Sequence, residues 1–227
     1  MKKILIIFFL GNISFTFATT TLLEGTENNH GYKVLKVIID GQSKIAVSVV
    51  DNGSPAQSLQ TLMNNGGGTS AINGGFFCPK ESAYSRCVGN TTDGLRISNG
   101  TLYSKRGKDI APYRSVFGFD NESNVLPMAE RDSRYRKDNG RENDALANMA
   151  NGMMMPTLVK EGINVATLNT EMNTDTKQSK AANKTFICST QDNKTVYMGY
   201  VDSVNFSSLA DYIIQTFNCY NAIQLDN

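Results

Sequence analysis

The sequence predicts an α+β domain in which a strand-rich mixed sheet carries interspersed helices. Three observations predict it. Short runs rich in valine, isoleucine and aromatic residues recur along the chain, many bounded by Asp-Gly, Asn-Gly or Asp-Asn pairs that mark tight turns. Near the C-terminus, Leu209, Tyr212, Ile213 and Phe217 instead repeat at helical spacing and fall on one face. At 227 residues, with no internal repeat, the chain is long enough to bury one core as a single domain, and two small domains would also fit its length.

Taken in order, the first 18 residues read as an export signal. Lys2 and Lys3 precede an apolar stretch from Ile4 to Leu10, and Thr16-Phe17-Ala18 offers a small-residue cleavage site. Gly11, Asn12 and Ser14 stop that stretch short of the roughly 20 residues a spanning helix needs. The domain is therefore expected over 19–227, in a secreted, periplasmic or other envelope location and without stable membrane insertion. Tyr32–Ile39 and Lys44–Val50 read as a hairpin around Asp40-Gly41, and Ser54–Met63 as a short helix with Pro55 in its first turn. Asn64 to Gly68 breaks the chain before a predicted strand, Thr69–Asn73. Pro79–Asp93 reads as a loop. Asn99-Gly100 predicts a hairpin between Arg96–Ser98 and Thr101–Ser104.

Ser115–Phe119 is a further predicted strand, turning at Asp120-Asn121. Residues 129–151 carry many charges and little apolar periodicity, and read as an exposed insertion. Met153–Lys160 returns to strand character, with the methionine triplet expected in the core. The polar stretch 169–183 reads either as a mobile loop over a site or as linker. Thr185–Thr190 and Thr195–Val201 should pair around Asp192-Asn193. Ser208 and Asp211 are spaced as a capping box for the helix that follows. Ala222–Asp226 reads as a buried strand with only Asn227 beyond it. A buried strand rarely ends a domain without a turn or cap, so the chain is expected to be cut short at its C-terminus.

Charge and cysteines narrow the function. The net charge of +1 falls to −1 when Lys2 and Lys3 leave, so no general pull towards nucleic acid or anionic lipid exists. The basic residues Arg131, Arg134, Arg136, Lys137 and Arg141 are interleaved with Asp132, Asp138, Glu142 and Asp144, and read as a solvated mixed-charge loop rather than a binding patch. Asn-X-Ser/Thr patterns are frequent, at Asn90, Asn99, Asn121, Asn183, Asn193 and Asn205 for example, and read as composition in an asparagine-rich chain. Four cysteines in an exported chain imply two disulfides, for which three pairings exist. Cys78 with Cys87 and Cys188 with Cys219 are the favoured pairs. A single histidine, His30, argues against a Ser-His-Asp site and against a compact zinc cluster. No cofactor is identified, and calcium held by scattered Asp and Asn oxygens stays open.

The most informative run is Ala71-Ile72-Asn73-Gly74-Gly75-Phe76-Phe77. Without a Cβ, Gly74 and Gly75 let the backbone approach a ligand closely, and their N–H groups beside the Asn73 amide can form an anion-binding concavity. The alternative is an ordinary Asn-Gly turn between strands. Phe76 and Phe77 could stack on a sugar ring, though one of them is expected to be buried because strands alternate faces.

Asn73-Gly74-Gly75-Phe76-Phe77 resembles the signature of the phosphodiester glycosidase family, the group of the uncovering enzyme, an N-acetylglucosamine-1-phosphodiester alpha-N-acetylglucosaminidase. Three more stretches are similar to the family's and stand in its order: Gly94–Gly100, Asn183-Lys184-Thr185-Phe186-Ile187, and Ala222-Ile223-Gln224-Leu225-Asp226. The resemblance implies a hydrolase acting on a sugar linked through phosphate. It implies Asn73, Gly74 and Gly75 as donors near the scissile group and Lys184 and Thr185 at the phosphate. Lys184 stands where the family has arginine, and a lysine cannot make the planar two-point contact of a guanidinium.

Asp226 is the leading carboxylate because it closes an apolar strand, where a side chain emerges from a rigid element. Glycosidases often use a second carboxylate. Glu161 and Asp202 are candidates, though each also fits a turn or a strand end. A non-catalytic carbohydrate-binding or envelope protein of the same fold is the competing expectation.

Overall fold

The computed structural model describes residues 20–41, 44–47, 58–65, 67–74, 77–78, 91–92, 95–103, 114–130, 146 and 148–225. The chain opens with an antiparallel hairpin, β1 (Thr20–Glu27) and β2 (His30–Ile38). Asn28 and Asn29, with φ of 51° and 64°, make the turn. Two positive φ values suit the twist of paired strands, and asparagine tolerates them. This corrects the hairpin expected across Asp40-Gly41: the partner of β2 lies upstream. Lys44–Val47 joins no ladder; Ile45 and Val47 donate their N–H groups to Ser123 Oγ (3.0 Å) and Asn151 Oδ1 (3.2 Å).

Helix α1 (Leu59–Asn65) starts after Ser58, whose Oγ accepts the Thr61 N–H at 3.1 Å. The expected start at Ser54 and Pro55 lies outside the described residues. The helix ends where Gly67 turns left-handed, with φ 67°, and Gly67 and Gly68 donate back to the Asn64 and Met63 carbonyls. Thr69–Gly74 then runs without entering a ladder, so the strand expected at Thr69–Asn73 is absent. Strands β3 (Phe77–Cys78) and β4 (Thr91–Thr92) pair separately from the main sheet. The Asn99-Gly100 hairpin forms as expected, with φ of 47° and 72°, between β5 (Arg96–Ser98) and β6 (Thr101–Tyr103).

Strand β7 (Arg114–Phe119) turns at Asp120, whose carboxylate accepts the Glu122 and Asn124 N–H groups, and β8 (Ala129–Glu130) returns beside it. The insertion expected over 129–151 is thus too wide: Ala129, Met149, Ala150 and Asn151 are buried, while 131–145 lie outside the described residues. Strand β9 (Asn151–Lys160) is the spine. Its first half is flanked by β5 and β7, and Thr157 and Val159 pair with β13 (Asn221–Gln224). Glu161-Gly162, with φ of 52° and 78°, turns it into β10 (Ile163–Asn164).

A 3-10 turn (Ala166–Leu168) and helix α2 (Thr170–Thr174) fill the polar stretch before β11 (Ala182–Ser189). The Asp192-Asn193 turn leads to β12 (Thr195–Val204), and helix α3 (Phe206–Phe217) follows. Asn205 caps this helix, accepting the Ser208 N–H at 2.9 Å. The cap expected at Ser208 is therefore three residues late, because Phe206 is already buried and helical. Asp211 instead accepts from Asn164 Nδ2 at 2.7 Å.

Among the described residues eleven strands form one sheet, with β1-β2-β12-β11-β13-β9-β5-β6 as its continuous path. Among the described residues every ladder is antiparallel, which corrects the mixed sheet expected from sequence.

The sheet has two buried faces. On one lies α3, where Leu209, Ala210, Ile213 and Phe217 pack against Phe186, Val201, Leu158 and Ala222. The Phe217 ring lies 5.2–5.9 Å from those of Tyr197, Tyr32 and Phe186. On the other face Val37, Met155, Ile187, Ile223 and Leu225 form a second cluster with Phe117 and Phe119. Cys188 and Cys219 are disulfide-bonded, Cα atoms 5.7 Å apart, tying β11 to the segment that enters β13. Cys87 lies outside the described residues, as does the Cys78 side chain.

Candidate active site

Strand alternation sorts the sequence-predicted residues between the two faces. On β11, Phe186 and Cys188 point to the helix-covered face and Ile187 to the other. Lys184 therefore shares the helix side, opposite Val201 on β12. Thr185 shares the other side with Leu225, and its carbonyl accepts the Leu225 N–H at 2.9 Å.

The Asn73 segment lies on the Thr185 side. Ile72 packs against the cluster that contains Leu225 and Met155. At Gly74 the backbone comes so near the Met153 thioether that an added Cβ would stand 3.4 Å from its Cε. Asn73 and Gly74 are half-buried there. The structure thus brings Asn73, Gly74 and Thr185 onto one sheet face, together with Leu225, the residue before Asp226. Gly75, Phe76 and Asp226 lie outside the described residues.

Lys184 is held elsewhere. It is 1% exposed, and its ammonium donates to the Lys177 carbonyl (2.9 Å) and to Gln178 Oε1 (3.0 Å). Burial holds its pKa below the ordinary lysine value, against a smaller upward pull from Asp175. Gln178 Oε1 also accepts from Gln224 Nε2 at 2.7 Å. The structure does not bring the Lys184 ammonium to Asn73.

The two candidates for a second carboxylate have structural tasks. Glu161 occupies the β9–β10 turn and donates its N–H to Asn221 Oδ1. Asp202 sits inside β12, where Oδ1 accepts the Gly31 N–H at 2.6 Å. Its own carbonyl lies 3.1 Å from His30 Nδ1.

Several polar groups near the site were not singled out in the sequence. Arg96 is buried and pairs with Met153 across β5 and β9, which puts it on the Asn73 side of the sheet. The buried hydroxyls of Ser115 and Thr157 are 2.8 Å apart on the same face. For Arg96 a signal existed, since it lies within the Gly94–Gly100 stretch. Among the described residues no group of three or more His, Cys, Asp and Glu side chains is placed to hold a metal ion. A cleft of about 650 Å³ opens at the other end of β11, lined by Thr190, Asp192, Asn218 and Tyr220, away from these groups.

The fold is similar to two solved structures. A hypothetical protein from Synechocystis superposes with a TM-score of 0.54 at 15% identity, over 91% of this chain and 56% of that one. This chain thus spans a little over half the length of that protein. The catalytic domain of zebrafish N-acetylglucosamine-1-phosphodiester alpha-N-acetylglucosaminidase, auto-inhibited by its pro-peptide, superposes with a TM-score of 0.55 at 15% identity. That match covers 95% of this chain and 72% of the zebrafish domain. At such identity the likeness is one of fold. No curated protein matches in sequence. The phosphodiester glycosidase family model matches residues 66–226, from the Asn-Gly-Gly segment through the last strand, and the chain belongs to that family.

Proposed function

We propose that this protein is an exported hydrolase that cleaves a sugar-phosphate diester in envelope or extracellular glycans and releases the free sugar. The observation that carries the reading is the family match over residues 66–226, within which Asn73, Gly74 and Thr185 share one sheet face with the strand leading to Asp226.

Water adds to the anomeric carbon, the bond from that carbon to the phosphate oxygen breaks, and a phosphate monoester leaves. Asp226 takes the proton of the attacking water. The amide of Asn73 and the backbone N–H groups of Gly74 and Gly75 donate to the phosphate oxygens as charge develops there. Thr185 adds a hydroxyl donor from the facing strand, and Phe76 packs on the sugar. A phosphate monoester has its second pKa near about 6, so it departs without a proton from a general acid. This chemistry needs one carboxylate, consistent with the structural tasks of Glu161 and Asp202. Sugar release from a panel of sugar-1-phosphate diesters, with and without a calcium chelator, tests the assignment.

A second reading, a carbohydrate-binding protein without turnover, draws on the bonds of Lys184 to protein acceptors. It expects saturable glycan binding that survives Asp226→Asn.

A further inference from the structure

We infer that Lys184 is a positioning residue: through Gln178 and Gln224 it holds the paired strands β11 and β13, after which Asp226 follows in the sequence, and it does not meet the phosphate. The inference rests on Asp226 being the catalytic carboxylate.

Four observations carry it. First, Lys184 is on the helix-covered face and the Asn73 segment on the other, so the sheet backbone separates ammonium and candidate phosphate site. Second, both bonds of the ammonium go to the 177–178 turn, at 2.9 and 3.0 Å. Third, Gln178 is itself fixed. Its N–H donates to Asp175 Oδ1 at 3.0 Å, and its carbonyl accepts the Phe206 N–H at 3.0 Å, at the first turn of α3. Its side-chain oxygen then joins Lys184 on β11 to Gln224 on β13. Fourth, Gln224 is fully buried and its Oε1 has no hydrogen-bond partner, so a single bond, through Nε2, orients this side chain. Gln224 lies two residues before Asp226. A catalytic group displaced by about 1 Å can lose on the order of 10²-fold in rate.

The chemistry of the side chain agrees. A phosphate ligand keeps its charged donors turned towards the anion, whereas a buried ammonium bonded to neutral oxygens serves as a clamp for those oxygens. Removing it leaves Gln178 Oε1 with one donor and takes the ammonium from the Lys177 carbonyl, so β11 loses its link to the 177–178 turn.

Lys184→Met and Gln178→Ala test the inference by two readouts on the full-length protein, with circular dichroism to establish folding. In steady-state hydrolysis of a sugar-1-phosphate diester, both variants should lose kcat by about tenfold or more while KM stays within about twofold. By hydrogen exchange, the Leu225 amide should exchange about tenfold faster in both. A rise in KM of about tenfold for Lys184→Met, with Gln178→Ala unchanged, would identify a phosphate contact and overturn the inference. Should Lys184→Met fail to fold, Gln178→Ala carries the test, because it keeps the cation and breaks the link. Should the wild type show no turnover, the proposed activity falls, and the exchange measurement still decides: an unchanged Leu225 amide in both variants refutes positioning.

Discussion

Removing the Cys188–Cys219 disulfide should cost this fold a large part of its stability, and the size follows from the loop it closes. The two cysteines are 31 residues apart in sequence and join β11 to the segment entering β13. Closing a loop of that length in the unfolded chain removes entropy worth about 3.7 kcal/mol at 25 °C by the chain-entropy relation. The bond lies at the far end of the β11–β13 ladder from Thr185, where the Tyr220 N–H also donates to the Ser189 carbonyl at 2.8 Å. Both sulfurs are buried, so the double replacement Cys188→Ala, Cys219→Ala leaves no new polar group in the core. Urea unfolding followed by circular dichroism measures the effect. With a slope of about 2 kcal/mol/M, the midpoint should fall by about 1.9 M. A loss below about 1 kcal/mol would refute the reasoning, because it would mean the unfolded chain is already restricted without the bond.

Two further perturbations test the packing and the buried charge. Gly199→Ala drives a methyl into the Lys33 carbonyl and Val34 backbone of the neighbouring strand β2. Neither can yield, so thermal or urea unfolding should show a loss of about 3 kcal/mol or more, against a near-neutral result if the strands can separate. Lys184 holds its proton less tightly when folded than when unfolded. Between its lowered folded pKa and the unfolded value near about 10.4, the unfolded chain binds more protons, so this residue makes stability rise with pH on the alkaline side. Denaturant titrations across that range should show the rise in wild type and a flatter profile in Lys184→Met; parallel profiles would contradict the assignment.

Local signals were legible in the sequence, and long-range choices were not. Asn99-Gly100 and Asp192-Asn193 specify their hairpins through turn chemistry, which acts within a few residues. The apolar face of α3 and the core methionines Met154 and Met155 follow from periodicity and polarity alone. The partner of β2 is not among the expectations, although Asn28-Asn29 supplies the two adjacent positive φ values that such a turn requires.

The same limit applies at the site. The motifs flagged Asn73, Lys184 and Asp226 together. Strand period gives two faces for Lys184 and Thr185, but only the position of α3 shows which face is covered. Gln178 lies in a polar stretch that carries no periodicity, and its importance comes entirely from the bonds that meet on its side chain.

The central claim is that this member of the phosphodiester glycosidase family hydrolyses a sugar-phosphate diester through Asp226. The most direct test is release of free sugar from a panel of sugar-1-phosphate diesters by the wild type and by Asp226→Asn. The account predicts turnover by the wild type and a fall in kcat of about 10³-fold or more in the variant, with the fold intact. Equal turnover by the two proteins would remove Asp226 from the chemistry. Saturable sugar binding with no turnover by either would contradict the enzymatic account and leave a binding protein built on the same sheet.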